Sequence, residues 1–506
     1  MTEKDPFLTR LANRDLNPGE VLLLAMIGPP LILALLAFLA LLRVALLGVL
    51  APGDGNLRDY ALILAAVLGA PFVIWRTLIA NRQTSAAEGN LTLSTRRLAT
   101  EQFTKAVELL GTTRTVKDTD GNETHAPVLE IRLGAIYSLE RLARENKDLH
   151  IQIMELLCAY VRENAPASAC KDWPGAILDR LTKDGKSDDE IAKDPAFVAA
   201  VAESAITVEQ LREKGRHRGR AQCLTEWCAS LPAPREDIRA ILDVLSRRSA
   251  EQQDWEWPDA HGQRAAKPAY KLDLRATNLR RCHPGGNALN HVLVTGARME
   301  GVDLSLAQMA GADLRWAWME GADLSLARME GAVLRGARME GAVLIEAWMA
   351  GADLRWAWME GAYLSLARME GAVLIEARME GADLSGARME GADLSRAQMV
   401  SVLWGDATLR GASAHNTDVR NAGGLSQDQL DPVVGNGQTK LDPGLYVWTC
   451  LAEAPEGLDA ALAKRREVRF GIATVESLRA KLLCGPGKPR EKTGRHPSLK
   501  EEPAKR

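Results

Sequence analysis

The sequence predicts a mixed fold: an α-helical N-terminal part that opens with two helices of membrane-spanning length, followed by a repetitive β-solenoid. Three observations carry this expectation. An uncharged run of 22 residues extends from Val21 to Leu42, and a second apolar stretch runs from Tyr60 to Ala80. Between residues 85 and 165 apolar side chains recur at helical spacing. From Ala297 to Gly411 the chain repeats every five residues for 115 residues, or 23 units. At 506 residues the chain is also too long for one compact core, so several units are expected.

Residues 1–20 form a short head before the first apolar run, which has about the length an α-helix needs to cross roughly 30 Å of hydrocarbon. Pro29 and Pro30 would kink it, as lipid-buried helices tolerate. Trp75 and Arg76 stand near the end of the second stretch as interfacial anchors. The first run is too long for a signal peptide, and a second follows almost at once. Lys4, Arg10 and Arg14 precede the pair and Arg82, Arg96, Arg97 and Lys105 follow it, whereas the linker offers only Arg58 against Asp54 and Asp59. The positive-inside rule then predicts a multi-pass protein with both termini in the cytoplasm. Seven scattered cysteines without a CxxC pair suit a reducing compartment. Cys223 and Cys228, near His217, read as ordinary thiols, because structural zinc favours closer pairs.

The net charge of −3 removes the bulk signature of a nucleic-acid binder. In the juxtamembrane region 85–165, Ile131, Ala135, Tyr137, Leu139 and Leu142 are expected as one buried stripe, with Glu130, Arg132, Glu140 and Arg141 facing water. Asp118 to Asn122 reads as a turn with too few oxygen ligands for calcium. Residues 166–260 form a variable helical region, whose basic run at 211–220 lacks the interleaved aromatics of an RNA site. Within it, residues 234–249 make an amphipathic helix with Ile238, Ile241, Val244 and Leu245 on one face, expected to cap the open end of the repeats. Residues 422–484 read as a C-terminal cap and tail, and 485–506 as a charged, disordered end.

In the repeats a small residue comes first and Leu or Met third, and apolar residues two apart share one side of an extended strand. A weaker version widens the array to 272–421, or 30 units. Leu and Met alternate at the third position, and eleven of the 14 methionines lie here as polarizable core fillers. No His, Cys or Lys occurs in 297–411, so Ser305, Ser325, Ser365, Ser385 and Ser395 have no base within the array. No catalysis, cofactor or metal is expected there.

Units such as Ala312-Asp313-Leu314, Ala322-Asp323-Leu324, Ala352-Asp353-Leu354, Ala382-Asp383-Leu384 and Ala392-Asp393-Leu394 resemble the pentapeptide-repeat family. The resemblance implies a right-handed quadrilateral β-helix in which four pentapeptides make one coil of 20 residues, with the first and third positions inward. Stacking at about 4.8 Å per coil would give a rod roughly 36 Å long. Residues Gln102 to Glu108, Glu130 to Arg141, Ile153 to Asn164, Arg235 to Arg248 and 425–430 further resemble bacterial membrane proteins that join a helical segment to such an array. That resemblance implies an inner-membrane location more than a function.

With coils of 20 residues, the outward second position of one wall reads Arg298, Trp318, Arg338, Trp358, Arg378, so that guanidinium and indole alternate. Such stacking is worth about 0.5 to 1 kcal/mol per exposed contact. Trp316 and Trp356 stand around the corner from Trp318 and Trp358. Trp316, Trp318, Trp348, Trp356, Trp358, Arg338 and Arg378 are therefore the candidate partner surface. The blocks 311–330 and 351–370 are near copies, and duplication alone would also produce the ladder. The expected function is a cytoplasm-facing scaffold that binds an unidentified protein partner, meets lipid through its two spans, and neither binds nucleic acid nor catalyses. One alternative is a DNA-mimic inhibitor of a nucleic-acid enzyme such as gyrase, as the resemblance to quinolone-resistance proteins implies. Against it, 297–411 sets 11 arginines among its 17 acids. The other is a transferase or hydrolase in 163–260, which the unpaired His217, and His261 just beyond, do not suggest.

Overall fold

The computed structural model describes residues 57–117, 123–202, 217–256, 270–284 and 288–448, with short stretches and single positions elsewhere; residues 57–72 and 74 are described as backbone only. The chain divides into two compact units, Met1–Gln102 and Phe103–Arg506.

Most of helix α1 (Leu57–Leu110) belongs to the first unit. It is 54 residues long, or about 80 Å at 1.5 Å per residue. It takes in residues 60–80 and runs on without a break where the sequence was read as passing from span to juxtamembrane region. Val73, Trp75, Leu91, Leu93 and Leu98 are exposed on it. The expected span 21–42 lies outside the described residues, except for single helical positions such as Ile32, Leu35, Leu36 and Leu39, all exposed. Among the described residues no helix is long and apolar enough to cross a membrane.

The second unit begins with an antiparallel pair, β1 (Thr113–Lys117) and β2 (Glu123–Pro127), with Thr113 opposite Pro127 and Lys117 opposite Glu123. Reading 85–165 as helical missed this hairpin. Its β-branched residues, Thr113, Thr115, Val116 and Thr124, are too few and too polar to register against the flanking helical period. The turn at 118–122 lies outside the described residues.

Helices α2 (Leu129–Glu145) and α3 (Lys147–Asn164) follow. The buried stripe of α2 is Arg132, Ala135, Ile136, Leu139, Leu142 and Ala143. Ile131 and Tyr137, expected inside, are exposed, Tyr137 at 49%. The helical angle from Ala135, Leu139 and Leu142 selects Arg132, Ile136 and Ala143 instead. Arg132 can be buried because it donates to Tyr160 Oη at 2.7 Å, and Tyr160 donates to Asp237 at 2.6 Å.

A lobe of short helices comes next: α4 (Pro174–Lys183), α5 (Asp188–Ile191), α6 (Pro195–Ala202), α7 (Val208–Arg212) and α8 (His217–Ser230). It has a core of its own, centred on Trp173, Ile177, Leu181, Phe197 and Trp227. Then α9 (Glu236–Ser246) and α10 (Ala250–Glu256) lead into the repeats. Leu242 of α9 lines a small cavity together with Leu279, Cys282, Leu289 and Val292 of the first coils. Ala288 N–H donates to Ser246 O at 2.9 Å, and Arg248 reaches Ala288 O. The open edge is thereby closed by helix and backbone together.

Parallel bridges between residues 20 apart run from Asp273↔Leu293 to Leu403↔Gly423, and Asp418↔Lys440 adds a last one. Each second residue bonds twice to the coil before it, and its two neighbours bond to the coil after: Trp318 N–H donates to Ala297 O at 2.9 Å and its carbonyl accepts from Met299 N–H at 2.7 Å, whereas Ala317 O accepts from Arg338 N–H at 2.9 Å. First-position alanines and third-position Leu and Met are fully buried from Ala312 to Ala392. The chain turns each corner at the fifth position in the left-handed region. Two corners use mostly glycine, as at Gly321 (φ +62°), but the other two mostly carry side chains, as at Trp316 (φ +57°) and Leu326 (φ +58°). Such residues cost roughly 1 kcal/mol each in strain, which the stacked hydrogen bonds must outweigh.

At the far end Trp404 takes a third-position slot and is buried. Strands β3 (Ser413–Ala414) and β4 (Val434–Gly435) flank a short helix, α11 (Gln427–Leu430), and β5 (Val447–Trp448) and β6 (Lys492–Thr493) complete a sheet in the order β3-β4-β5-β6. Residues 492–493, expected as part of a disordered end, pair antiparallel with Val447 and Trp448. An unpaired β5 edge would otherwise leave its backbone groups exposed.

Candidate interaction surface

The stacked coils set position-two side chains into columns. On the first wall Arg298 lies 4.0 Å from the Trp318 ring centroid, and Arg338 lies 4.3 Å from Trp318 and 5.4 Å from Trp358. Arg378 continues the column at 4.5 Å from Trp358. The opposite wall repeats the device with Arg328 and Arg368 at 5.1 and 4.4 Å from Trp348. The seven candidate residues therefore form three groups: Trp318, Arg338, Trp358 and Arg378 on one wall, Trp316 and Trp356 on its corner, and Trp348 on the wall opposite.

The first wall is not free. The lobe rests on it, with Lys183 Nζ of α4 5.0 Å from the Trp358 centroid and Ala176, Ile177 and Arg180 facing Trp318 and Arg338 across a cleft. Arg298 binds Asp172 at 2.8 Å. Arg280 lies 5.2 Å from the Trp227 ring and donates to Lys171 O at 2.5 Å. Helix α8 comes so close that a Cβ on Gly301 would stand 2.8 Å from Cys228 Cβ, and Cys228 Sγ lies 3.2 Å from Glu320 O. Both Cys223 and Cys228 are buried thiols, the second pushed well up by that burial. Periodicity reveals the wall but not its cover, because the covering residues lie far earlier in the chain, Cys228 by 92 positions from Glu320 and Asp172 by 126 from Arg298.

The corner and the opposite wall stay open. Trp316 is 58% exposed, Trp356 44% and Trp348 36%, with Leu306, Leu326 and Leu366 exposed along the corner beside Trp348. Trp316 lies flat because Gly336 is beneath it; a Cβ there would meet the ring at 2.3 Å. The Trp356 indole N–H donates to Glu376 at 3.0 Å.

Position four also points outward, yet on the first wall it is covered. Glu300 and Glu320 are buried. Glu300 is answered by Arg280 at 2.7 Å and Arg298 at 2.6 Å. Arg338 serves Glu320 at 3.0 Å and Glu340 at 3.1 Å, and Arg378 serves Glu360 at 2.8 Å. Burial raises the Glu320 carboxyl well above the carboxylate range despite Arg338. Burial and the nearby Glu340 push Glu360 up to about 8 against the pull of Arg378. On the remaining walls Asp313 pairs with Arg315 at 2.6 Å, and Asp353 with Arg335 and Arg355 at 2.5 and 2.6 Å. Arginines thus interrupt the acidic columns.

Tertiary structure links one of the array's serines, Ser395, through Ser413 to a histidine just beyond the array. Ser395 Oγ lies 3.3 Å from Ser413 Oγ, which lies 2.8 Å from His415 Nδ1. Asp393 accepts from Ser395 at 2.6 Å, and burial lowers the His415 imidazole pKa against the pull of Asp393. Among the described residues no group of three His, Cys, Asp or Glu is arranged to hold a metal ion.

The family described as pentapeptide repeats matches residues 289–325, 327–365, 352–391 and 362–399, in eight copies. Among solved structures, the chain is similar to HetL, a pentapeptide repeat protein involved in heterocyst differentiation regulation from the cyanobacterium Nostoc sp. strain PCC 7120. The identity is 30% over 33% of this chain and 84% of that one, with a TM-score of 0.21. It is 22% identical to QnrB1, a plasmid-mediated fluoroquinolone resistance protein, over 34% of this chain and 88% of that one, with a TM-score of 0.20. A pentapeptide repeat protein from the Arabidopsis thaliana thylakoid lumen is 23% identical over 32% of this chain and 90% of its own, with a TM-score of 0.12. No curated protein matches the chain.

Proposed function

The chain belongs to the pentapeptide-repeat family, and from that premise we propose that it is a non-catalytic scaffold that binds a protein partner on the open corner and wall of its β-helix. The observation that carries this is the set of exposed aromatic and aliphatic side chains, Trp316 and Trp356 on one corner and Trp348 with Leu306, Leu326 and Leu366 on the other side. Clustered exposed tryptophans supply large contact area at small entropic cost and recur as interface anchors. Trp318, Trp358, Arg338 and Arg378 serve this chain's own lobe instead, so the partner surface is narrower than the seven residues first named. The arginines set among the acids speak against a DNA mimic, which needs a continuous acidic face. The reason for proposing no catalysis is that residues 297–411 carry no His, Cys or Lys to activate their serines.

The partner test is affinity isolation from a crosslinked native fraction, comparing wild type with Trp316→Ala/Trp348→Ala/Trp356→Ala. A protein retained by wild type and lost by the folded variant supports the reading; identical sets with both refute it. We further propose attachment to a bacterial inner membrane with both termini cytoplasmic. Its support is the uncharged run 21–42, the stretch 60–80 and the flanking arginines and lysines. Alkaline carbonate extraction tests it: release of the protein with the peripheral fraction would refute the anchor.

A further inference from the structure

The open wall that carries Trp348 pairs its two outward columns in a way the repeat does not require. Position two reads Gln308, Arg328, Trp348, Arg368 and Arg388, and position four reads Ala310, Glu330, Ala350, Glu370 and Glu390. Each of these arginines is followed two residues later by glutamate, whereas Trp348 is followed by alanine. The covered first wall departs from this, since Trp318 and Trp358 are followed by Glu320 and Glu360. Within one chain the pairs on the open wall are loose. Arg328 reaches Glu330 at 3.1 Å, but Arg368 stands 3.6 Å from Glu370, and Arg388 stands 3.3 Å from Glu370 and 3.9 Å from Glu390. Glu370 is itself buried, so the more exposed pairs at 328 with 330 and 388 with 390 present the charge of this wall to an incoming surface. Its two edges differ in bulk. The corner before position two carries the exposed Leu306, Leu326 and Leu366, and the corner after position four carries glycines from Gly311 to Gly391. A Cβ on Gly331 would meet nothing within 4 Å.

We propose that this wall is a self-interface, on which a second copy of the chain stands parallel, wall against wall, about a two-fold axis along the rods. Rotation about that axis sets position two of each copy opposite position four of the other at the same height. Arg328 then faces Glu330 of the second copy, Arg388 faces Glu390, and the large Trp348 faces the small Ala350, each contact occurring twice. The leucine corner of each copy meets the glycine corner of the other. The remaining charges beside the strip do not oppose like charges: Glu346 and Asp406 on the leucine corner fall opposite Gly351 and Gly411, and Arg410 falls opposite Thr408. An antiparallel pair centred on Trp348 would instead set Arg328 against Arg368 and Glu330 against Glu370, so charge selects the parallel arrangement. The dimer rests on the reading of this wall as a protein-binding surface and names its occupant, while the Trp316 and Trp356 corner stays available to another protein. The strip is roughly 24 Å long at one strand spacing per coil, small for a specific interface, so an affinity of about 1 μM is expected.

The experiment is sedimentation equilibrium of the purified full chain in a density-matched mild detergent, over concentrations from about 0.1 to about 100 μM. Wild type should follow a monomer–dimer equilibrium. Arg328→Glu and Glu330→Arg each set like charges against each other twice per dimer, and each should weaken association about tenfold or more. An equimolar mixture of the two variants should regain wild-type association, because one copy then carries two acids and the other two arginines at this height. The double variant Arg328→Glu/Glu330→Arg should dimerise as wild type does, which separates loss of the interface from loss of the fold. The proposal is overturned by a wild type that stays monomeric or forms any assembly other than a dimer, by single variants that associate as wild type does, or by a mixture or double variant that associates no better than the single variants. Because the mass read is that of the pure chain, such a result leaves capture of a foreign protein by the Trp316 and Trp356 corner standing, and failure of that capture leaves the dimer standing.

Discussion

Aspartate at the second position has a structural reason that the five-residue period leaves unexplained. The N–H of the fourth residue finds no backbone acceptor in the neighbouring coils among the described residues, and the aspartate two residues earlier supplies one. Asp323 accepts from Ser325 N–H at 2.9 Å, Asp303 from Ser305 at 3.0 Å and Asp383 from Ser385 at 3.0 Å. This is the side chain to backbone turn that Asp favours. Asp323→Ala should lower stability by about 1 kcal/mol while Asp323→Asn restores most of it, as read from denaturant midpoints. Glu360 makes a second residue-scale prediction. Its folded value of about 8 stands above the unfolded carboxyl value near 4.3. The folded state therefore holds a proton that the unfolded state releases between those limits. The contribution is full below the unfolded value and is lost as pH rises toward 8. The melting temperature of wild type should fall more between pH 5 and pH 8 than that of Glu360→Gln; parallel curves would contradict the raised value.

At the scale of elements, the alternation of arginine and tryptophan was legible at once, because a column is a 20-residue sum of a five-residue period. What α4 and α8 do to that column was not. The helices read from the sequence as a variable region with no assigned neighbour, yet they cover Trp318 and Trp358 and bring Asp172 to Arg298. The ladder on the first wall is thus an internal seam, and its energy holds the lobe down. Trp318→Ala removes the ring shared by Arg298 and Arg338. Limited proteolysis of that variant should cut within 166–233 several times faster than wild type, while the β-helix stays intact. Equal cutting would mean that the lobe is held by other contacts.

For the molecule as a whole, a stack of coils has two ends, and each end needs a cover. Helix α9 covers the first; the sheet that finishes with Lys492 and Thr493 closes the second. A chain truncated after residue 448 would keep the coils but bare the β5 edge. It should form concentration-dependent oligomers by light scattering at concentrations where the full chain does not; an unchanged mass would show that the edge is protected by something else. Two residues of a charged tail carry no periodic signal, which is why this strand was invisible before folding.

The amino-acid sequence by itself determined the coil: a small residue first and Leu or Met third put every inward position within five residues of the next, so local spacing is enough to specify wall, corner and core. Tertiary structure alone decided which walls are free, which acids are buried and which serines meet a histidine. Those outcomes rest on contacts such as Arg298 with Asp172, 126 residues apart, and Cys228 with Glu320, 92 apart. Such pairs obey no period, and their effect is set by burial and by the loss of water around charges, which are properties of the assembled surface and not of any segment.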